Sequence, residues 1–301
     1  MPRRLVLLVL FVLVAALLLF VQLPIPPTYA GRTIENAGHT PLFLVGTLFV
    51  LAILRHDFGL QGLRHYVWAG LIGSVAGLAS EVIQQPLRRD ASWEDVLADC
   101  VGVLLALGLY AFFDRRSEFR GATRAAALLI AAGCVIVYLT PVVTMARAYA
   151  HRNGQFPVLA DFQWSIENAW VVGYGTRRSI HDGILDVEFE VSPFPGISFH
   201  EPVPDWSGYK TLQLEVENPD EEPLSLGVRV HDIGHGRSFA DRFNRVFKLA
   251  PGERRILEVP LEDVQHAPRN RLMNMTQISD VTLFRAHSGS YHMRLYSMRL
   301  R

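Results

Sequence analysis

Cysteine and lysine are scarce in this sequence, and neither sign of charge is in excess. The two cysteines, Cys100 and Cys134, both fall within apolar segments, so we expect neither a disulfide nor a metal pair. Lysine occurs only at Lys210 and Lys248, and arginine carries almost all of the positive charge. The formal net charge is +0, from 29 basic and 29 acidic residues, so no basic surface indicates a nucleic-acid partner. A nucleophile elbow, a P-loop, a paired zinc motif and the Rossmann glycine pattern are all missing, and no cofactor is predicted.

Long apolar runs fill the first half of the sequence. They cover about residues 5–21, 37–54, 66–83, 95–113 and 125–146, and each is near the ~17–25 residues that cross a bilayer as a helix. A cleaved signal peptide is the alternative for the first run, because Thr28-Tyr29-Ala30 resembles a cleavage site. The run is longer than the ~7–15 apolar residues of a usual signal peptide, so we expect a retained helix. The sequence predicts an all-α transmembrane domain of about five spans over residues 1–150.

The distribution of arginine predicts the orientation of these spans. With the N-terminus in the cytoplasm, the inner segments hold Arg3, Arg4, Arg55, Arg64, Arg115, Arg116, Arg120 and Arg124. The outer segments hold Arg32, Arg88, Arg89, Arg147 and Arg152. Eight arginines against five favour this orientation, which predicts a bacterial inner-membrane protein whose C-terminal domain is periplasmic.

A cluster of polar residues joins the third and fourth apolar runs. Ionisable groups at a bilayer boundary cost several kcal/mol unless they are paired or hydrated, so they mark either a functional site or a structural network. Arginine binds phosphate groups bidentately, and Glu81 or His39 would serve as an acid or base. A cation site here would match no specific metal motif, so no metal is predicted. The predicted binding cluster, all on the outer membrane face, comprises Glu35, His39, Glu81, Gln84, Arg88, Arg89, Asp95 and Asp99.

The pattern E-x-x-Q, then Arg, then S-x-x-D-x-x-x-D-x-x-G resembles the hairpin of the VanZ-like membrane protein family. Here it extends from Glu81 through Arg89 to Gly102. Glu35 and His39, in the segment ENAGH, stand where that family has an acidic residue and a histidine at the start of an earlier helix. The resemblance implies a cell-envelope membrane protein, in a family associated with phenotypes that include low-level resistance to the glycopeptide antibiotic teicoplanin.

From about residue 156 the apolar pattern alternates with a period of two, which is typical of strands. The predicted strands cover residues 184–191, 196–200, 211–217, 224–231, 245–249, 255–259, 280–285 and 292–299. Pro- and Gly-containing turn signals, such as Pro193-Phe194-Pro195-Gly196 and Ala250-Pro251-Gly252, separate them. About eight short strands predict an all-β antiparallel, jelly-roll-like sandwich over residues 156–301.

Several motifs of this region resemble the galactose-binding-like, carbohydrate-binding-module type of sandwich. They include Phe194-Pro195-Gly196, Asp205-Trp206-Ser207-Gly208-Tyr209 and Asp241-Arg242-Phe243-Asn244. The resemblance implies a sugar ligand, which binds exposed aromatic side chains flanked by polar groups. The candidates are Trp164, Trp170, Tyr174, Tyr291, His200, His231, Asp232 and Arg242.

The alternative for each of these residues is a structural role. Trp206, Tyr209, Phe243 and Phe247 have the pattern of core aromatics, and Asp241-Arg242 would form an ion pair where a strand begins.

Three functions therefore stay open from the sequence. The first, which we favour, is recognition of an envelope glycan or lipid-linked glycan, with the membrane cluster binding the phosphate-bearing head and the sandwich the sugar. The second is an enzyme that acts on a lipid-linked substrate with Glu81 or His39 as acid or base. The third is a scaffold for an exopolysaccharide or envelope assembly complex. The oligomeric state is not predicted.

Overall fold

The protein divides into two compact units, residues 1–145 and 146–301. The computed structural model describes residues 28–84, 93–114, 119–236 and 238–301. The first unit is helical and the second is a β-sandwich. The division falls before the predicted end of the first domain at residue 150. The reason is that the last residues of the helix Ala122–Gln155 belong to the second unit.

The described part of the helical unit contains five helices. They are α1 (Tyr29–Ala37), α2 (His39–His56), α3 (Gly62–Gln84), α4 (Trp93–Phe113) and α5 (Ala122–Gln155), the last of which continues into the second unit. Within the described residues, three helical stretches are long and apolar enough to cross a membrane: Tyr29–His56, Trp93–Phe113 and Ala122–Gln155. The predicted first span, at residues 5–21, lies outside the described residues, and α3 is not among these three stretches. The prediction of about five spans is thus not confirmed.

Glycines let the helices of this unit approach one another closely. A Cβ atom built on Gly102 of α4 would lie 2.4 Å from the carbonyl oxygen of Thr40 in α2. A Cβ on Gly77 of α3 would meet the side chain of Asp99 in α4 at 3.1 Å. Such small-residue contacts are the usual means by which apolar helices pack together, since larger side chains would hold the backbones apart.

The second unit is an antiparallel sandwich of two sheets. Its strands are β1 (Val158–Ala160), β2 (Val171–Tyr174), β3 (Thr176–His181), β4 (Ile184–Phe189), β5 (Gly196–His200), β6 (Thr211–Glu217), β7 (Leu224–Asp232), β8 (Phe243–Leu249), β9 (Arg254–Pro260), β10 (Ile278–Arg285) and β11 (His292–Leu300). The six-stranded sheet has the order β3-β4-β11-β6-β9, with β1 also paired to β11, and the five-stranded sheet has the order β2-β5-β10-β7-β8. The prediction of an antiparallel sandwich is confirmed.

The core lies between the two sheets and is made by the inward positions of each strand. Leu212, Leu214 and Val216 alternate along β6 and are fully buried, as the period-two pattern requires. Trp206 is fully buried in the same core, and Phe247 packs against this core. Both observations confirm the predicted structural role of the two residues. A short helix, α6 (Leu261–Gln265), follows β9 and buries Leu261 and Val264.

The end of α5 packs into the sandwich unit. The Tyr149 hydroxyl donates to Glu201 at 2.6 Å, and the Arg152 guanidinium donates to the carbonyl of the same residue at 2.5 Å. The ring of Tyr149 lies 4.9 Å from that of Trp170, which ends a 3-10 helix at Ser165–Trp170. These contacts explain why the last turns of α5 belong to the second unit.

Candidate functional site

The outward side of the five-stranded sheet, called the outer face below, carries polar and aromatic side chains in rows. Residues directly opposite each other on paired strands share a face of the sheet. One row holds His200, Asp280 and His231, from β5, β10 and β7. The next row holds Val172, Ser198, Thr282, Arg229 and Asn244, and the third holds Tyr174, Gly196, Phe284, Gly227 and Val246. The outer face is thus far more polar than the inward side, which supplies the core.

Asp280 is the buried centre of the outer face. It is only 4% exposed, and both Ser198 Oγ and Thr282 Oγ1 donate to its Oδ1 at 2.7 Å. His200 Nδ1 lies 3.0 Å from its Oδ2. Burial opposes ionisation of Asp280, but the hydrogen bonds from His200, Ser198 and Thr282 hold its pKa below the usual value. The carboxylate is therefore charged at neutral pH and fixes the groups around it.

Two histidines flank this carboxylate. His200 donates Nδ1–H to the ionised Asp280, and the Tyr174 hydroxyl lies 3.2 Å from its Nε2. His231 Nε2 is 3.9 Å from Asp280, and its ring stacks on that of His235 at 4.6 Å. Burial lowers the pKa of His231, partly offset by the charge of Asp280, so His231 is neutral at pH 7. Neutral imidazole both donates and accepts hydrogen bonds, as recognition of a sugar hydroxyl requires.

Aromatic rings lie beside these polar groups. The ring of Phe284 lies across Gly227 of the neighbouring strand, where an added Cβ would come within 2.6 Å of three of its carbons. Phe194 packs edge-on against Phe284 and is itself 67% exposed, while Tyr174 is 50% exposed. Arg229 lies over the Phe284 ring, with its guanidinium carbon 5.0 Å from the centroid. The outer face thus offers two exposed aromatic side chains next to fixed hydrogen-bonding groups.

The other predicted sugar ligands have different surroundings. Trp170 is buried beneath Tyr149 and Arg152, so it offers no face to a sugar. Asp232 is also buried, and Arg271 binds both of its oxygens at 2.6 and 2.7 Å, so it fixes a loop.

Three candidates remain at the surface. Trp164 is exposed, with its ring 6.2 Å from that of His151. Tyr291 lies under the Arg285 guanidinium, 4.0 Å from its carbon. Arg242 lines a separate cleft beside β8.

In the helical unit, the structure places His39 and Asp99 of the predicted polar cluster in contact. His39 Nδ1, at the start of α2, lies 2.9 Å from Asp99 Oδ1 on α4, and both side chains are buried. The adjacent Thr40 hydroxyl donates to the Ala98 carbonyl at 3.0 Å. A histidine oriented by a carboxylate is a common general acid–base arrangement, and the same pair cross-links two helices. Of the two acid–base candidates of the enzyme alternative, the described side chains include His39.

The remaining members of that cluster are less fully described. Glu35 and Asp95 are both half-buried, on α1 and α4. The side chains of Glu81 and Gln84, and the whole of Arg88 and Arg89, lie outside the described residues. In the described ranges, no three His, Cys, Asp or Glu side chains are grouped closely enough to hold a metal ion.

The sequence prediction did not include Asp280, Ser198, Thr282, Arg229, Phe194 or Phe284 as site residues. The sequence contained one signal for them, the alternation along β10. Asp280, Thr282 and Phe284 alternate there with Val281 and Leu283, which are buried in the core. Polar residues at the outward positions of a strand are ordinary, however. Only the strand order shows that β10 is central and that these residues face His200 and His231.

Comparison with solved structures gives distant likenesses over less than half of the chain for the proteins described below. No family model matches the chain, and no curated protein matches it, so the VanZ-like resemblance rests on its motif residues. Among solved structures, PfGH50B aligns over 44% of this chain and 22% of its own, at 16% identity and a TM-score of 0.36. The agarase AgWH50C aligns over 48% and 26%, at 16% identity and a TM-score of 0.39.

A family 11 carbohydrate-binding module from Clostridium thermocellum, in complex with a β-1,3-1,4-mixed-linked tetrasaccharide, also aligns with the chain. The alignment covers 48% of this chain and 93% of the module, at 12% identity and a TM-score of 0.38. In PfGH50B and AgWH50C, by contrast, the chain matches only about a quarter of the length of each protein. At these values the likeness assigns no role to any residue of this chain.

Proposed function

We propose that this protein is an integral membrane protein of the bacterial cell envelope that binds a glycan, free or lipid-linked, through the outer face of its sandwich. The observation that carries the proposal is the placement of exposed Tyr174 and Phe194 beside the His200–Asp280–His231 row. Sugars present apolar C–H faces and a rim of hydroxyls, and they bind where aromatic rings adjoin fixed donors and acceptors.

Pre-organisation of the outer face supports this function. Asp280 is held by three hydrogen bonds, and it in turn fixes His200 and, through that ring, the Tyr174 hydroxyl. Groups already held in one geometry lose little conformational entropy when a ligand binds, so weak contacts add up to useful affinity. A surface that served only solubility would not need a buried, ionised carboxylate at its centre.

Membrane attachment is supported by the three apolar helical stretches described above. The excess of arginine in the segments 55–64 and 115–124 supports a cytoplasmic N-terminus and a periplasmic sandwich. In that compartment the sandwich would meet envelope polysaccharides and the glycan heads of lipid-linked precursors.

A glycan array probed with the full-length protein in neutral detergent tests the proposal. We expect binding to a defined subset of bacterial glycans, weakened roughly tenfold by Tyr174→Ala or Phe194→Ala, since each removes a ring from the contact surface. Ile256→Ala is the control, because Ile256 is exposed on the six-stranded sheet. Absence of binding to every glycan, or equal losses in the control, would overturn the proposal.

A further inference from the structure

A cleft of about 490 Å³ opens beside β8, one of the two edge strands of the five-stranded sheet. Its walls come from the 3-10 helix Phe239–Asp241, from β8, and from α6 with the segment that follows it. The volume is in the range of small-molecule sites. None of the functional features described so far uses this cleft.

The cleft carries an excess of positive charge. Arg242, Arg245 and Arg269 line it, and Asp263 is the acidic side chain among the lining residues. Arg245 engages that carboxylate at 2.6 Å, which leaves the charges of Arg242 and Arg269 without a compensating acid among the described residues of the cleft wall.

Arg242 does not form the ion pair with Asp241 that the sequence predicted. Asp241 instead accepts from Arg271 Nε and from the Gly236 amide, both at 2.7 Å. Arg242 Nε is buried and has no hydrogen-bond partner among the described residues. Burial also lowers the pKa of Arg242, as expected for a guanidinium that no anion compensates. A buried, unsatisfied donor is costly, and an anion bound at the open end of the guanidinium would offset the charge that this burial leaves uncompensated.

The cleft also contains an aromatic surface and adjoins the outer face. Phe239 is 71% exposed, and the Arg242 guanidinium carbon lies 5.3 Å from its ring centroid. Asn244 lines the cleft and accepts from Arg229 Nε at 3.2 Å, so it belongs to both surfaces. Burial and the nearby charge of Arg242 together lower the pKa of Arg229. A ligand on the outer face would therefore extend into a positively charged neighbourhood.

We propose that the cleft is a subsite for an anionic glycan, whose carboxylate or phosphate binds Arg242 and Arg269 while a sugar ring rests on Phe239. This inference rests on the proposed function and narrows its ligand to acidic sugars. Arginine suits such a group because its planar fork of donors matches two oxygens of a carboxylate or phosphate at once. Neighbouring rings supply apolar contact with the sugar.

Calorimetric titration of the full-length protein in neutral detergent tests the subsite with two matched pairs of probes. One pair is trigalacturonic acid and its uncharged methyl ester, and the other is a hexose phosphate and the parent hexose. We expect at least one charged probe to bind roughly tenfold more tightly than its uncharged counterpart, an advantage that decreases with added salt. Arg242→Gln should abolish the advantage, and Arg177→Gln should keep it, because Arg177 is 74% exposed on β3 of the other sheet.

The outcomes separate this inference from the proposed function. Equal binding of charged and uncharged probes, or an advantage that survives in Arg242→Gln, overturns the subsite but leaves glycan binding standing. Absence of binding here and on the glycan array overturns both. If Arg242→Gln fails to fold, Arg269→Gln replaces it, since Arg269 is exposed in the cleft wall. The more tightly bound charged probe tells a carboxylate ligand from a phosphate ligand.

Discussion

At the scale of single residues, Asp280 determines how the outer face is held. Replacing it with Asn removes the charge that Ser198, Thr282 and His200 stabilise. It also replaces one carboxylate oxygen, which accepts hydrogen bonds, with an amide nitrogen, which donates them and so cannot bond to these donors. We expect Asp280→Asn to cost roughly 3 kcal/mol and to lower the Tm of the sandwich by roughly 10 °C. Thermal unfolding of the purified protein, followed by the β-sheet circular dichroism signal, measures this.

The stability that Asp280→Asn loses should also depend on pH. The pKa of Asp280 in the fold is below its ordinary value of 3.8. Its contribution to stability is therefore complete above about pH 4 and is lost as the pH falls through the lowered pKa. The Tm difference between the wild type and Asp280→Asn should shrink below that pH. Asp205→Asn is the control, because this carboxylate is exposed and bonds to its near neighbour Ser207; a similar loss there would contradict the prediction.

At the scale of elements, the contact between α2 and α4 depends on the absence of a side chain at Gly102. Alanine is favoured over glycine in a helix by ~1 kcal/mol. A Cβ at this position, however, would lie 2.4 Å from a backbone oxygen and 2.9 Å from Phe43 Cβ. Neither atom can withdraw unless a helix moves, and overpacking costs ~1–3 kcal/mol. We expect overpacking to outweigh propensity, so Gly102→Ala should lower the melting temperature in detergent.

Gly133→Ala is the matched control for this substitution. Gly133 lies on α5, and a Cβ added there would meet no described atom within 4 Å, so alanine should be neutral or stabilising by up to ~1 kcal/mol. Size-exclusion chromatography after heating compares the two variants directly. Equal behaviour would show that the folded protein lacks the close contact between α2 and α4.

At the scale of the whole molecule, the proposed orientation places the sandwich outside the cytoplasm. A reporter enzyme that is active only in the periplasm, fused after Arg301, should be active, and the same reporter fused after Arg120 should be silent. The reason is the excess of arginine in the segments proposed to be cytoplasmic. The reverse pattern would contradict both the topology and the proposed access of the sandwich to envelope glycans.

Much of the sandwich could be predicted from the sequence, because strand formation shows in local alternation. β5 and β6 begin and end where the pattern predicts, and the other six predicted strands differ from the structure by a few residues. The three missed strands lack that signal. β1 has only three residues, β2 contains Gly173, and β3 is mostly polar with Ile180 as its one large apolar residue. They are strands because neighbouring strands supply their hydrogen bonds.

The site illustrates the same division. His200 and His231 are candidates from residue type alone. Asp99 is a candidate from its spacing with Asp95, and His39 from the family resemblance. Inward and outward positions follow from an alternation that each strand carries in its own sequence. Which strands become neighbours depends on pairings between distant segments, which only the folded chain fixes. The sequence by itself therefore determined that apolar helices are followed by a β-sandwich. The tertiary structure, by pairing β10 with both β5 and β7, decided that Asp280 lies between two histidines on one surface.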